Sequence, residues 1–310
     1  MMRTGMQQGI LVTAYKQTDW LQRMLKRFGP NVSFFVHVDR KSSAEDQDRY
    51  RQLTHAHENL VFVSSEYEVN WGGFNHLKAI LLLVQKAVEG GMSYCHLITG
   101  QDYPVKSASY FETQIDGRQN FIEFFPLPTN HWKHGGLDRL IYYHFHDIFD
   151  PKTRLGKVSL KLLAGIQGVS HMKRRLPANI RFYGGSTYWS LNRACLEYIL
   201  DYIRRDPSFF TRFRYTFCAE EVFFQTVLLN SPLRETLIND NRRYICWHSR
   251  HGSAPAILDA SDFDSIITSN ALFARKMAYL QSQDLVDRID KVVHSVIFSG
   301  GAGGGYGEHD

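Results

Sequence analysis

The sequence lacks any apolar run long enough to cross a bilayer, which takes about 20 consecutive apolar residues, so no helical membrane span is expected. Its start, MMRTGMQQGILVTAY, passes straight into a strand-like segment. There is no separate apolar h-region and no small-residue cleavage site, and no secretory leader is expected. Cysteine is scarce, with four in 310 residues, at Cys95, Cys195, Cys218 and Cys246, and none forms a CxxC pair. Three of them sit in apolar or aromatic surroundings, which fits buried reduced thiols and a reducing compartment. A strong excess of one charge is also missing. The 36 Lys and Arg against 31 Asp and Glu leave a formal charge of +5. The basic residues are spread out, except in HMKRRLP (171–177) and DNRRY (240–244). Nucleic acid is therefore not the expected partner, and a small anionic ligand would account equally well for local basic clusters.

What is present is a rhythm. GILVTAY, SFFVHVD, NLVFVS and SYCHLITG read as strands, and NFIEFFPL as another. Between them TDWLQRMLKRF, SSAEDQDRYRQLTHA and NHLKAILLLVQKAVEGG carry helical spacing, the second with a Ser cap and the third closed by Gly90 and Gly91. Alternation of this kind implies a parallel sheet with crossover helices. Residues 126–180 are less regular and rich in aromatics, His and bases. Then follow FYGGSTYWSLN, a helix RACLEYILDYIRR, and TFCAEEVFFQTVLLNS, a helix apolar nearly all round and therefore buried. After RRYICWHS and a loop, DFDSIITSNALFARKMA opens with an acidic helical start. No repeat and no linker appears. A single domain over 1–298 is expected, with a Rossmann-like nucleotide-binding half (about 8–125), an acceptor-binding half (126–298) and a disordered Gly-rich tail (299–310).

Several segments offer chemistry. HVDRKS delivers Asp39 to the carboxyl end of a buried strand, where ligands sit in an open α/β sheet. Asp39 there is a structural cap or a ribose ligand. Only one carboxylate is present, so the DxD that places a divalent metal on a diphosphate is missing. The one literal DxD, Asp262-Phe263-Asp264, falls on a helical first turn, where the dipole favours negative charge. His144, His146 and Asp147 in HFHD could chelate, but no third strand-borne ligand is near. In LITGQDYPVKS, Asp102 is either an Asx turn or part of a site loop at the sheet edge. EVNWGGFNHLKA places Trp71 and two glycines before a helix. This is either a common Gly-Gly turn or a place where an anion meets a helix N-terminus. Glu220 and Glu221 open a buried helix; pointing about 100° apart, they cannot act as a paired acid and base.

In this order, VHVDRKS, VNWGGFNHLKAILLL, HLITGQDYPVKS, FYGGSTYWSLNRACLEYIL, CAEEVFFQTVLLNSP and ITSNALFARKM resemble the core 2/I-branching β-1,6-N-acetylglucosaminyltransferase family (glycosyltransferase family 14). That family also holds the peptide O-xylosyltransferases. The resemblance spans roughly residues 8–280. It implies an α/β fold of the GT-A nucleotide-diphospho-sugar transferase type, an inverting mechanism and a UDP-sugar donor. It also implies a diphosphate held by basic side chains, with no metal and no other cofactor. On this reading Glu221 aligns with the family's general base and Lys276 with its diphosphate lysine. Asp39 contacts the uridine or ribose, and Ser186 lies beside the transferred sugar. Trp71 and Asp102 join the donor-binding set, and Glu123 and Trp247 align with acceptor positions. An alternative for Trp247 is a core tryptophan.

The chain departs from the family in the loop after Trp247. Where a second basic residue usually follows a proline, Pro255 is followed by Ala256, and Arg250 or His251 is the expected substitute. The animal members' membrane anchor and disulfides are missing, so the expectation is a soluble, bacterial-type, cytoplasmic member. Peripheral association with the inner membrane face is compatible with this. Acceptor choice, for a glycan or glycolipid, is expected in residues 126–180, which match poorly. The expected function is transfer of N-acetylglucosamine. The alternatives are xylosyl transfer on the same scaffold, or a catalytically silent protein that binds glycan or nucleotide.

Overall fold

Every residue of VSFFVHV is buried, as in a parallel strand covered on both faces. It is β2 (Val32–Val38) of a computed structural model that describes residues 6–16 and 18–299. In chain order the elements are β1 (Gln8–Ala14), α1 (Asp19–Arg27), β2, α2 (Ala44–Ala56), β3 (Leu60–Ser64), α3 (Phe74–Glu89), β4 (Tyr94–Thr99), β5 (Asp102–Pro104), α4 (Ala108–Gln114), β6 (Asn120–Ile122) and β7 (Phe125–Pro126). They continue with α5 (Asp138–Ile141), α6 (Arg154–Ser170), β8 (Tyr183–Gly184), β9 (Trp189–Asn192), α7 (Arg193–Arg205), α8 (Pro207–Arg212), α9 (Glu220–Leu229), β10 (Leu237–Ile238), β11 (Arg243–Ile245), α10 (Phe263–Thr268), β12 (Phe273–Arg275) and α11 (Tyr279–Ser299). The Gly-rich tail expected to be disordered lies, after Ser299, outside the described residues.

The chain folds as two compact units. The larger takes residues up to 18, 30–100 and 117–241; the smaller takes 19–29, 101–116 and 242 onward. The larger holds a seven-stranded sheet in the order β10-β6-β9-β4-β1-β2-β3. Strands β3, β2, β1 and β4 run parallel, with Ile10 opposite Phe34 and Leu11 opposite Leu97. Strand β9 pairs antiparallel with both β4 and β6. The α/β alternation called for the parallel 3-2-1-4 run; the reversed strand β9 makes the sheet mixed, an α/β arrangement of the GT-A-like kind that the resemblance implies.

Sequence pattern explains the helices that cover this sheet. Ser43 caps α2 by accepting from the backbone of Asp46, and Asn192 caps α7 by accepting from Cys195. Helix α3 buries Leu77, Ile80, Leu83, Val84 and Ala87, an i, i+3, i+4, i+7 stripe. These pack in one cluster with Leu196 and Ile199 of α7 and Val222, Phe223 and Val227 of α9. Every residue of α9 except Glu221 is buried, matching its apolar character on all sides. Residues 126–180, which looked irregular, contain the 17-residue α6.

The smaller unit is built on the three-stranded sheet β11-β12-β5. Phe111 packs between Phe28 and Phe273, with ring centroids 5.2 and 5.5 Å away. Arg27 donates to the carbonyls of Pro104 and Lys106. The segment read as a helix from Asp262 onward is helical only to Thr268; Phe273–Arg275 instead pairs antiparallel with Asp102–Pro104. Ser269 and Asn270 break the helical run, and the β-edge of Tyr103 offers a better partner for FAR than solvent does.

Candidate active site

The larger unit builds its site from the loops at the carboxyl ends of β1 and β2. Asp39, the first residue after β2, is buried. One of its oxygens accepts from the backbone N–H groups of Lys41 (3.0 Å) and Val69 (3.1 Å). The other faces Lys41 Nζ at 3.9 Å. Lys41 Nζ in turn donates to Asn70 Oδ1 at 2.6 Å and meets Asp150 at 3.2 Å. Asp39 thus ties its own turn to the 65–73 loop. That loop presents Trp71, which is 62% exposed and packs edge-on against Phe217 at 5.0 Å.

The helix N-terminus after the two glycines already holds an anion. The carboxylate of Asp147 accepts from Asn75 N at 3.0 Å. A Cβ on Gly73 would stand 2.2 Å from it, so the glycine makes room for a side chain of this same protein. Burial raises the Asp147 pKa against the pull of those backbone donors. With Asp147 occupied this way, HFHD is no chelate: His144 bonds the carbonyl of Asp138, and both imidazoles pack on Phe217. Among the described residues, no group of three or more His, Cys, Asp and Glu side chains is disposed to hold a metal ion.

At the start of α9 the two neighbouring glutamates part, as their helical spacing requires. Glu220 is buried, with Oε1 3.0 Å from His76 Nδ1, and His76 Nε2 lies 3.3 Å from Thr13 Oγ1. Glu221 turns the other way, is partly exposed, and accepts from Arg139 at 2.6 Å. The Arg139 guanidinium lies flat on Trp132, 3.6 Å from the ring centroid, and near Phe217. Burial, with Glu220 alongside, raises the Glu221 pKa to about 7 against the pull of Arg139. A carboxylate with a pKa near neutrality, at a helix N-terminus and beside one cation, is suited to accept a proton at physiological pH. Arg139, Trp132 and His76 were not singled out from sequence. His76 sits inside the NWGGFNHLKA motif, whereas Arg139 and Trp132 fall in the stretch with no pattern.

The GGS loop is pinned to the same helix. Gly185 N donates to Glu221 O at 2.9 Å, and Gln225 Nε2 donates to Ser186 O at 2.7 Å. A Cβ on Gly185 would lie 1.9 Å from Glu123 O, so Ser186, Glu221 and the backbone of Glu123 are brought together. Glu123 itself accepts from Asn241 at 3.0 Å. It lines a cavity of about 730 Å³ with Phe125, His131, Arg181, Tyr183 and Arg234.

In the smaller unit two of the expected donor contacts, Asp102 and Arg250, sit in ion pairs. Asp102 is 0% exposed and forms a buried ion pair with Arg275, at 3.2 and 3.4 Å, across the β5–β12 ladder. It is a strand residue, not an accessible loop carboxylate. Arg250 is engaged by Asp262, by Asp259 at 3.5 Å and by Ser261 at 2.9 Å. The alternative, His251, meets Asp259 at 2.9 Å. Both basic residues thus lie against the carboxylates of Asp259 and Asp262. Asp259 and Asp262 form a capping box, which gives the first Asp of the literal DxD a structural role. Lys276 stands against the preceding loop, 3.4 Å from Ser253 Oγ, with its backbone bonded to Ala256 and Leu258. Trp247 is 71% exposed, which removes the core-tryptophan alternative and leaves an open aromatic face.

Glu221, at the head of α9 and bonded through its backbone to the Gly-Gly-Ser loop, is the carboxylate around which the candidate site is built. The chain belongs to the Core-2/I-Branching enzyme family, whose model matches residues 10–267. It is similar to Xylosyltransferase 2 of Canis lupus familiaris, 26% identical over 298 residues, covering 87% of this chain and 31% of that one. It is likewise similar to Xylosyltransferase 1 of Mus musculus, 24% identical over 307 residues, covering 91% and 30%. The chain therefore spans about a third of the length of these curated relatives. Among solved structures it shares a partial likeness with S. aureus TarS 1-349 in complex with UDP-GlcNAc, with a TM-score of 0.30 and 16% identity over 38% of this chain and 34% of that one.

Proposed function

We propose that this chain is an inverting glycosyltransferase that moves N-acetylglucosamine from UDP-N-acetylglucosamine to a glycan or glycolipid hydroxyl, without a metal on the diphosphate. The observation that carries this is Glu221: one partly exposed carboxylate on an otherwise buried helix, with a raised pKa, on a residue whose backbone carbonyl bonds the loop that carries Ser186. In the reaction the acceptor oxygen attacks the anomeric carbon and its proton passes to Glu221. The bond from that carbon to the diphosphate oxygen breaks, and the electron pair leaves with UDP. The attack comes from the face opposite the leaving group, so configuration inverts. Lys276 supplies the positive charge that stabilises the departing diphosphate. Asp39 orients the uridine or ribose, and the exposed rings of Trp71 and Trp247 offer faces to donor and acceptor.

Xylosyl transfer is the second reading, supported by the two xylosyltransferases that the chain resembles over most of its length. The test is UDP release from UDP-N-acetylglucosamine and from UDP-xylose, measured with EDTA and with manganese. Release from the first donor, equal under both conditions, is expected. Preference for UDP-xylose selects the second reading. Activity that appears only with manganese overturns the metal-free mechanism. UDP binding without release from any UDP-sugar points to a silent binding protein.

A further inference from the structure

Helix α6 has two apolar stripes, and only one is covered. The inner stripe carries Gly156, Leu160, Leu163 and Gln167. Gln167 clamps the helix down by accepting from Tyr143 N at 2.7 Å and donating to Tyr143 O at 2.9 Å. Gly156 allows close approach, since a Cβ there would stand 1.9 Å from Asp150 O. The outer stripe carries Leu155, Val158, Leu162, Ile166 and Val169, which are between 50% and 85% exposed. At about 100° per residue these five fall within one narrow sector, about a third of a turn from the inner stripe. Their regular spacing separates them from scattered surface leucines.

The charge around this stripe is one-sided. No Asp or Glu occurs between Asp150 and Glu197. Arg154, Lys157 and Lys161 flank the stripe along the helix, and Lys173 and Arg175 follow it; all five are exposed. Arg174 is otherwise engaged, donating to the carbonyls of Leu140 and Arg212 and to Thr216. A second copy seated on this face would bring like charges together across a two-fold axis. An apolar strip edged by bases, with no acid on its own helix, fits a surface that is negatively charged outside and apolar beneath. We propose that α6 lies in the headgroup layer of an anionic lipid bilayer, with Leu155, Val158, Leu162, Ile166 and Val169 inserted and the flanking Lys and Arg on the headgroups.

The test is flotation of the whole chain with phosphatidylcholine vesicles and with phosphatidylcholine–phosphatidylglycerol vesicles. Retention on the anionic vesicles, weakened by salt and slight on the neutral ones, is expected. K157Q/K161Q should weaken it by about fivefold per residue, roughly thirtyfold for the pair. L162S/I166S should weaken it by at least about tenfold, with circular dichroism, melting temperature and UDP release unchanged in both variants. No retention on anionic vesicles, equal retention on neutral ones, or variants that bind like wild type each overturn the proposal. A wild-type dimer in sedimentation that L162S/I166S dissolves, without vesicle binding, assigns the stripe to a second copy instead. Because vesicle binding needs no turnover, its failure is distinct from failure of the transferase reading.

Discussion

Two charged clusters in this molecule use the same chemical groups to opposite ends. In the larger unit, Arg139 faces one carboxylate, Glu221, at 2.6 Å, and its flat face is covered by Trp132. In the smaller unit, Arg250 meets Asp259, Asp262 and Ser261, and both aspartates are also bound into a capping box. The numbers of partners differ, and so does the outcome. Asp259 is held down at about 2, first by Ser261 and His251, so its charge is permanent. Glu221 is pushed up by burial and by Glu220, so its charge is conditional. A carboxylate with several donors becomes a staple, and a partly exposed one with a single cation beside it and another carboxylate alongside can exchange a proton.

The sharpest way to break this contrast is Glu221→Gln. Positioned general bases contribute about 10²–10⁴ in rate, and a loss of that order is expected while UDP-sugar binding and melting temperature hold. Glu220→Gln should lose much less rate, because its partner is His76; the reverse order in turnover assays would exchange the two roles. The wild-type rate should rise with pH and level off above about 7, since only the ionised base accepts a proton. Stability should move oppositely. The folded state binds the Glu221 proton more tightly than the unfolded one, so this contribution is present below the ordinary carboxyl range and is lost as pH rises through about 7. Denaturation across pH should show the slope in wild type and its loss in Glu221→Gln.

Next in size is Asp102→Ala. Removing one partner of a buried ion pair costs about 3–5 kcal/mol, and calorimetry should find a destabilised fold. An unchanged melting temperature with weakened UDP binding would instead restore Asp102 to the donor contacts. Lys276→Ala follows. A charge-assisted phosphate contact contributes roughly 1.5–3 kcal/mol, about ten- to hundredfold in affinity. Calorimetric titration should show the loss for UDP and little for uridine; equal losses would separate Lys276 from the diphosphate. Arg250→Ala should do least, costing up to about 1 kcal/mol of stability with UDP affinity unchanged. A drop in affinity as large as that of Lys276→Ala would overturn the staple reading of this cluster.

Local pattern carried the fold wherever burial is one-sided or complete. The 8–100 stretch alternates strands and helices with capping residues in place, and Ser43 caps α2 as its sequence suggests. Helix α6 escaped because its inner face is made of Gly156, Leu160, Leu163 and Gln167 while a second apolar stripe faces out, so no single hydrophobic side stands out. Two acids opening an apolar helix marked the place of the base candidate, but the choice of Glu221 over Glu220 came from the resemblance alone. Arg139, the partner of Glu221, was not legible, since 82 residues separate them and nothing local marks a guanidinium that will lie on Trp132. The surroundings of Arg250 were hidden for a related reason: its basic charge is visible in sequence, but its pairing with carboxylates across a turn is not.

The 1.9 Å between a would-be Cβ on Gly185 and the carbonyl of Glu123 also limits how this protein can evolve. Two backbones touch there with no side chain between them, and the same glycine is bonded to Glu221 through its N–H. Any replacement at 185 would wedge the loop away from the head of α9 and Glu221. If the proposed function holds, drift toward a new donor has to pass through Ser186 and the residues after it, with Gly185 as the fixed pivot. In a saturation library selected for turnover, position 185 should return glycine alone, whatever sugar is offered.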